Sequence, residues 1–277
     1  MKKFFIALTL SLFIAPLFAQ EEPAAVSNTF ATSYLIDNQT VAVPFKGSME
    51  LQIQHRFSPI ENIKNLFGIY GSANTRLSLN YGVGDRLMIG VGTSKDYKLT
   101  DIQWKYLILQ QKEDNSMPFT LAYYGNVTAD LRNPDSFGPE ANFKEMHRLS
   151  YFTQLILARK FGEKFSLQVA PSLAYFNTVQ YIDETNGYKN LNFGLSAGAR
   201  YNMFGNHSLM VEYDQLLTKQ DLVEQPKPNI AFGWEINTGT HAFQVFATKH
   251  SLLNNQYNLL YTSSDDYMVG FNITVRF

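Results

Sequence analysis

Five histidines hold the chain's best prospects for acid–base or metal chemistry: His55, His147, His207, His241 and His250. Imidazole titrates near neutral pH and ligates divalent ions, so spacing decides what these residues can do. None is spaced His-x-x-x-His or His-x-His, which would gather two rings on one face of a helix or strand, and no metal site is expected. Ser251 follows His250 directly and would point to the opposite face of an extended segment. No Gly-x-Ser-x-Gly nucleophile elbow or phosphate-cradling Gly loop is expected either. Cysteine is absent, which removes disulfides, thiolate metal ligands and thiol nucleophiles. Asp265 and Asp266 are two adjacent carboxylates, by themselves a poor oxygen cage for a divalent cation. The chain reads as a non-enzyme with no cofactor.

What remains is charge, and its placement depends on the elements that carry it. About twelve segments alternate apolar and polar residues with the period of two that marks a β-strand. They are 47–57, 74–83, 86–95, 99–110, 117–129, 147–161, 164–177, 190–203, 207–217, 228–237, 240–249 and 265–277. Most run about 9–14 residues, near the length of a tilted membrane-crossing strand. Tight links such as Gly84-Asp85 and Gly162-Glu163 alternate with longer polar ones such as 130–146 and 250–264; only the link at 95–97 is short where a long one is expected. The pattern predicts an all-β fold, an antiparallel transmembrane β-barrel of about twelve strands with short periplasmic turns and longer external loops. A mean hydropathy of −0.18 agrees, because a barrel wall is apolar on one face only. The apolar faces tend to end in Phe, Tyr or Trp, as an interfacial girdle requires. Pro171, inside the seventh segment, predicts a bulge.

Taking the polar parity as inward, the expected lumen residues are Glu50, Arg56, Arg76, Arg86, Asp101, Lys105, Arg148, Arg200, Glu212, Asp214 and Glu235, with Lys160 and Arg276. Cations crowd the first three strands and acids the ninth and tenth, so a transverse field could orient a charged solute. Alternatively the charges pair across a filled interior; twelve strands lie between the packed eight and the open sixteen. Small residues at the same parity, among them Gly92, Gly194, Gly198 and Gly270, would widen the bore or let the sheet bend.

Both ends of the chain speak to location. Met1-Lys2-Lys3 and the apolar stretch from Phe4 to Ala19 read as a signal peptide, residues 1–19, too short to span a bilayer. Without Lys2 and Lys3, 21 basic and 24 acidic residues leave about −3, no excess for nucleic acid. Residues 20–46 would form a plug, pack beneath the barrel or stay mobile, and 47–277 form the barrel. The last strand sets Tyr267, Val269, Phe271, Ile273, Val275 and Phe277 on one face. Together with Gly270, this ending resembles the insertion signal read by outer-membrane assembly machinery, which would be a partner during biogenesis.

The stretches Gly47 to Phe57, Leu79 to Gly92, Leu157 to Phe161 and Thr238 to Gln244 resemble an outer-membrane barrel family of the Bacteroidota with no assigned function. The resemblance runs from about Phe30 to Phe277 and implies a barrel in outer-membrane lipid of a Gram-negative bacterium. It implies no substrate. A barrel phospholipase sets its lipid-facing His and Ser two positions apart; here Phe57 follows His55 at that spacing, so the pair is missing. The leading expectation is a narrow channel for small polar or charged solutes. The alternatives are a docking barrel with a blocked lumen and, third, a lipid-facing hydrolase.

Overall fold

The computed structural model describes residues 23–180, 186–262 and 264–277, so the signal-peptide reading lies outside the described residues. A short hairpin comes first, β1 (Tyr34–Leu35) and β2 (Asn38–Gln39). Twelve longer strands follow: β3 (Met49–Pro59), β4 (Asn74–Gly84), β5 (Leu87–Ser94), β6 (Leu99–Leu109), β7 (Thr120–Asp130), β8 (Leu149–Phe161), β9 (Phe165–Phe176), β10 (Leu191–Phe204), β11 (His207–Leu216), β12 (Asn229–Asn237), β13 (His241–Thr248) and β14 (Met268–Arg276). Each pairs antiparallel with its neighbour in sequence, and β14 pairs with β3 to close the barrel. A closed sheet has no free edge, the condition for β-structure in lipid.

All twelve expected strands are present, with ends shifted by up to about three residues. The connections sort as expected: two residues at Asp85–Arg86 and at Gly205–Asn206, against 131–148 and 249–267 at the other end. The exception at 95–98 is also real. It is tightened by a 3₁₀ turn, Asp96–Lys98.

Alternation divides the wall into two faces. Outward side chains are mostly apolar and exposed, such as Val91, Ile102, Phe193, Phe232 and Val245 (64% for Ile102), with those of β7 and β14 half-buried. In water each such side chain would forgo about 1.5–3 kcal/mol of burial, so a continuous band marks a lipid-facing surface. Aromatics gather at its rims. Phe161 with Phe165 and Phe204 with Trp234 lie at the short-turn end; Tyr151 with Tyr175 lies towards the other. The inward face is buried and carries most of the polar and charged side chains, together with an apolar cluster that includes Ile156, Phe176, Met210 and Phe246.

Pro171 causes no bulge. Its pairing to β10 is unbroken, and the β8 ladder resumes in the same register beyond it. An outward-facing Pro therefore costs only a local interruption on the β8 side. Register shifts occur instead near Gly82–Gly84, Leu107–Leu109, Asn202–Phe204 and Met268–Gly270.

Candidate functional site

The lumen is filled from both ends. From the short-turn end, residues 23–43 enter the barrel. Val26 N donates to Gln111 O and Lys160 Nζ to Ser27 O at the entrance. The β1–β2 hairpin then runs up the lumen axis, with Ile36 and Asp37 at its tip. Ile36 has φ +54°, a left-handed conformation that a β-branched residue adopts only under outside restraint. That restraint comes from the wall: Arg56 Nη2 (3.3 Å) and Asn272 Nδ2 (2.8 Å) both donate to Ile36 O. From the long-loop end, the β13–β14 connection folds inward with helix α1 (Asn255–Tyr261). Gln256 Nε2 donates to Asn126, Thr128 and Ser150 of the wall, and Tyr257 packs on Phe176. The two insertions meet where Asn255 Nδ2 donates to Asp37 O at 3.4 Å.

Small wall residues receive these insertions. A side chain at Gly198 would collide with Leu35 of the hairpin and one at Gly194 with Leu259 of α1, whereas one at Gly270 would meet Phe246 of the neighbouring wall strand β13. Gly194 and Gly198 therefore make room for the plugs rather than widening an open bore.

Of the expected lumen residues, Glu50, Arg56, Arg76, Asp101, Lys105, Glu212, Asp214 and Glu235 are all buried on the inward face. Arg76 grips Asp101 with both guanidinium nitrogens across β5, and a Cβ at Gly92 would strike that guanidinium. Arg200, largely buried, pairs with Glu235 at 2.7 Å across β11. Arg56 pairs with Asp37 at 2.6 Å and lies 4.4 Å over the Phe246 ring. Arg276 faces Glu50 at 3.6 Å. Lys105 Nζ donates to Ser33 O and Ala42 O of the plug. Most charges are thus neutralised locally, which replaces the expected transverse field.

Two placements differ from expectation. Arg86 sits exposed in the two-residue turn after β4, because the register shift at Gly82–Gly84 ends the alternation before it. Arg148 lies in a 3₁₀ turn ahead of β8 at the long-loop mouth, donating to Asp130 O and paired with Glu145. Beside it, Arg132 stacks on Tyr97, and these residues with Phe137, Tyr257 and Tyr261 line a cavity of about 360 Å³. Nearby, hydrogen bonds from Lys227 and Lys249 hold the exposed Asp265 carboxyl below its ordinary range. Gly270 faces inward, whereas Phe271, Ile273 and Val275 sit on the outward face of β14. Phe277 lies just beyond, its backbone paired with Met49 at the seam.

The letters Gly194-Leu195-Ser196-Ala197-Gly198 do satisfy the Gly-x-Ser-x-Gly pattern, a match passed over in the sequence reading. They lie within β10, not at a strand-to-helix turn. Ser196 is buried and makes no hydrogen bond to His250 among the described residues. His55 stacks on Phe271 at 4.5 Å, a ring contact, with no hydrogen bond to a serine among the described residues. The sequence reading also missed Asp37 and His250, which meet only because plug and wall converge.

Residues 30–277 match the model of a family described as "Membrane bound beta barrel domain (DUF5777)". The chain belongs to that family. Among solved structures, this barrel domain resembles the NanC porin with a TM-score of 0.52 at 9% identity, covering 83% of this chain and 98% of that one. The KdgM porin, solved in complex with disordered oligogalacturonate, gives 0.52 at 8%, with 83% and 99% covered. An outer membrane channel from Pseudomonas putida F1 gives 0.50 at 14%, with 85% and 97% covered. At such identities the likeness concerns the fold alone. No curated protein matches the sequence.

Proposed function

We propose that this membrane-bound barrel is an outer-membrane conduit for small polar or charged solutes, closed at rest by its two insertions. The observation that carries the reading is that the sheet closes through β14 and β3 without the N-terminal hairpin, while the wall facing that hairpin carries many buried polar and charged side chains beside an apolar cluster that includes Ile156, Met210 and Phe246. Withdrawal of both insertions leaves a bore whose many polar and charged side chains water can solvate. Arg76, Arg200, Glu212 and Glu235 would then line the path and shape selectivity. The chain is read as a non-enzyme, assembled by the barrel assembly machinery through the aromatic face of β14 after export.

Proteoliposome swelling tests the solute class. A folded barrel lacking residues 23–43, with residues 251–262 replaced by a short Gly-Ser link so that α1 is also gone, is expected to admit small sugars and amino acids, while the intact chain admits them slowly. No swelling with either would favour a docking barrel with a permanently blocked lumen.

A further inference from the structure

Where hairpin tip and wall meet, the charges do not balance. Asp37 at the tip, Glu212 and Asp214 on β11, and His250 just after β13 lie together, all buried. Arg56 is the guanidinium present, and it takes one oxygen of Asp37. Among the described residues, no lysine or arginine pairs with Glu212 or Asp214. Asp214 accepts from the amides of Asn38 and Asn229. Glu212 accepts the backbone N–H groups of Asp37 and Asn38 on Oε2, while Oε1 is buried without a partner. Bare carboxylates out of water are costly unless a cation answers them.

The geometry suits a metal ion. One donor atom each from Asp37, Glu212 and His250 lies within 4.8 Å of the other two. Ligands around a tetrahedral ion stand about 3.4 Å apart, so modest side-chain rotation closes the set. His250 Nδ1 is already 3.6 Å from Asp37 Oδ2. The supports for the ligands are also present. Arg56 and Thr248 hold the Asp37 carboxylate, and two backbone amides hold Glu212. A hollow of about 10 Å³, the space of one small ion or water, borders the cluster on the side of Asp37, Asp214 and His250, with Glu212 outside its lining. One imidazole with two carboxylates selects a first-row transition ion over calcium, which prefers oxygen throughout.

We propose that Asp37, Glu212 and His250 bind one divalent transition-metal ion, which ties the N-terminal plug to the barrel wall. The site needs the plug in place but not solute passage, so direct titration reads it whether or not the barrel conducts.

The test is calorimetric titration of Zn²⁺, and separately Mn²⁺, into the tag-free mature chain, purified in detergent and stripped with chelator. One equivalent of at least one of these ions should bind. Glu212→Gln, Asp37→Asn and His250→Gln, each verified as folded by heat-modifiable migration, should weaken binding by at least about 100-fold, the upper end of what losing a mere supporting group costs. Asp265→Asn, on the exposed loop, should leave it unchanged. Absence of stoichiometric binding of both ions, or binding that survives in all three folded site variants, would overturn the assignment.

Discussion

Arg76→Met is expected to destabilise the barrel by about 3–5 kcal/mol, the usual cost of stranding one partner of a buried ion pair. Asp101 would remain 2% exposed on β6, with its two-armed partner gone. Nothing else replaces the guanidinium, because β5 between them offers only Gly92 at that point. Arg76→Lys should recover only part of the loss, since an ammonium cannot grip both carboxylate oxygens in a planar fork. Arg76→Met combined with Asp101→Leu should recover most of it, because matched apolar replacement of a buried pair is often neutral. Urea unfolding followed by the fluorescence of Trp104 and Trp234 measures all three. Equal stability of Arg76→Met and the parent would mean that water reaches Asp101.

Arg56→Ala should loosen the plug while leaving the wall closed. Arg56 is 1% exposed and donates to Asp37 Oδ1, Ile36 O, Asn272 Oδ1 and the neighbouring His55 O. Two of those four acceptors belong to the hairpin tip. Their loss leaves Asp37 without its guanidinium partner and removes one of the two wall donors to Ile36 O, whose left-handed backbone is strained to begin with. A cost of about 3 kcal/mol placed on the plugged state alone raises the unplugged population roughly 100-fold. Limited proteolysis within residues 23–43 should accelerate accordingly, with heat-modifiable migration retained. A variant cleaved no faster than the parent would show that the hairpin is held chiefly elsewhere, by Lys105 and Gln168 for example.

The barrel was legible because alternation, strand length and loop sorting are local signals repeated twelve times. So was the inward parity of Arg76, Asp101, Glu212 and Glu235. Parity failed for Arg86, where a register shift and a two-residue turn intervene, and for Arg148, where the strand begins one residue later. The pairing of Arg76 with Asp101 could have been sought, since both lie on inward parity two strands apart. The fate of residues 20–46 could not be read. Tyr34-Leu35-Ile36 suits a plug or a packed strand equally, and it is the wall's hydrogen bonds and its apolar packing around Leu35 and Ile36 that hold it in the lumen. The Asp37–Glu212–His250 cluster was hidden for the same reason: its members lie far apart in sequence, and no spacing rule joins them.

Single-channel recording of the intact barrel beside a variant without either insertion (residues 23–43 deleted and 251–262 replaced by a short Gly-Ser link), both verified as folded barrels, tests the central claim most directly. The account predicts a quiet intact protein with rare openings and frequent, discrete conducting steps after the deletion. An intact chain that conducts steadily, or a folded deletion variant that stays silent, would contradict it.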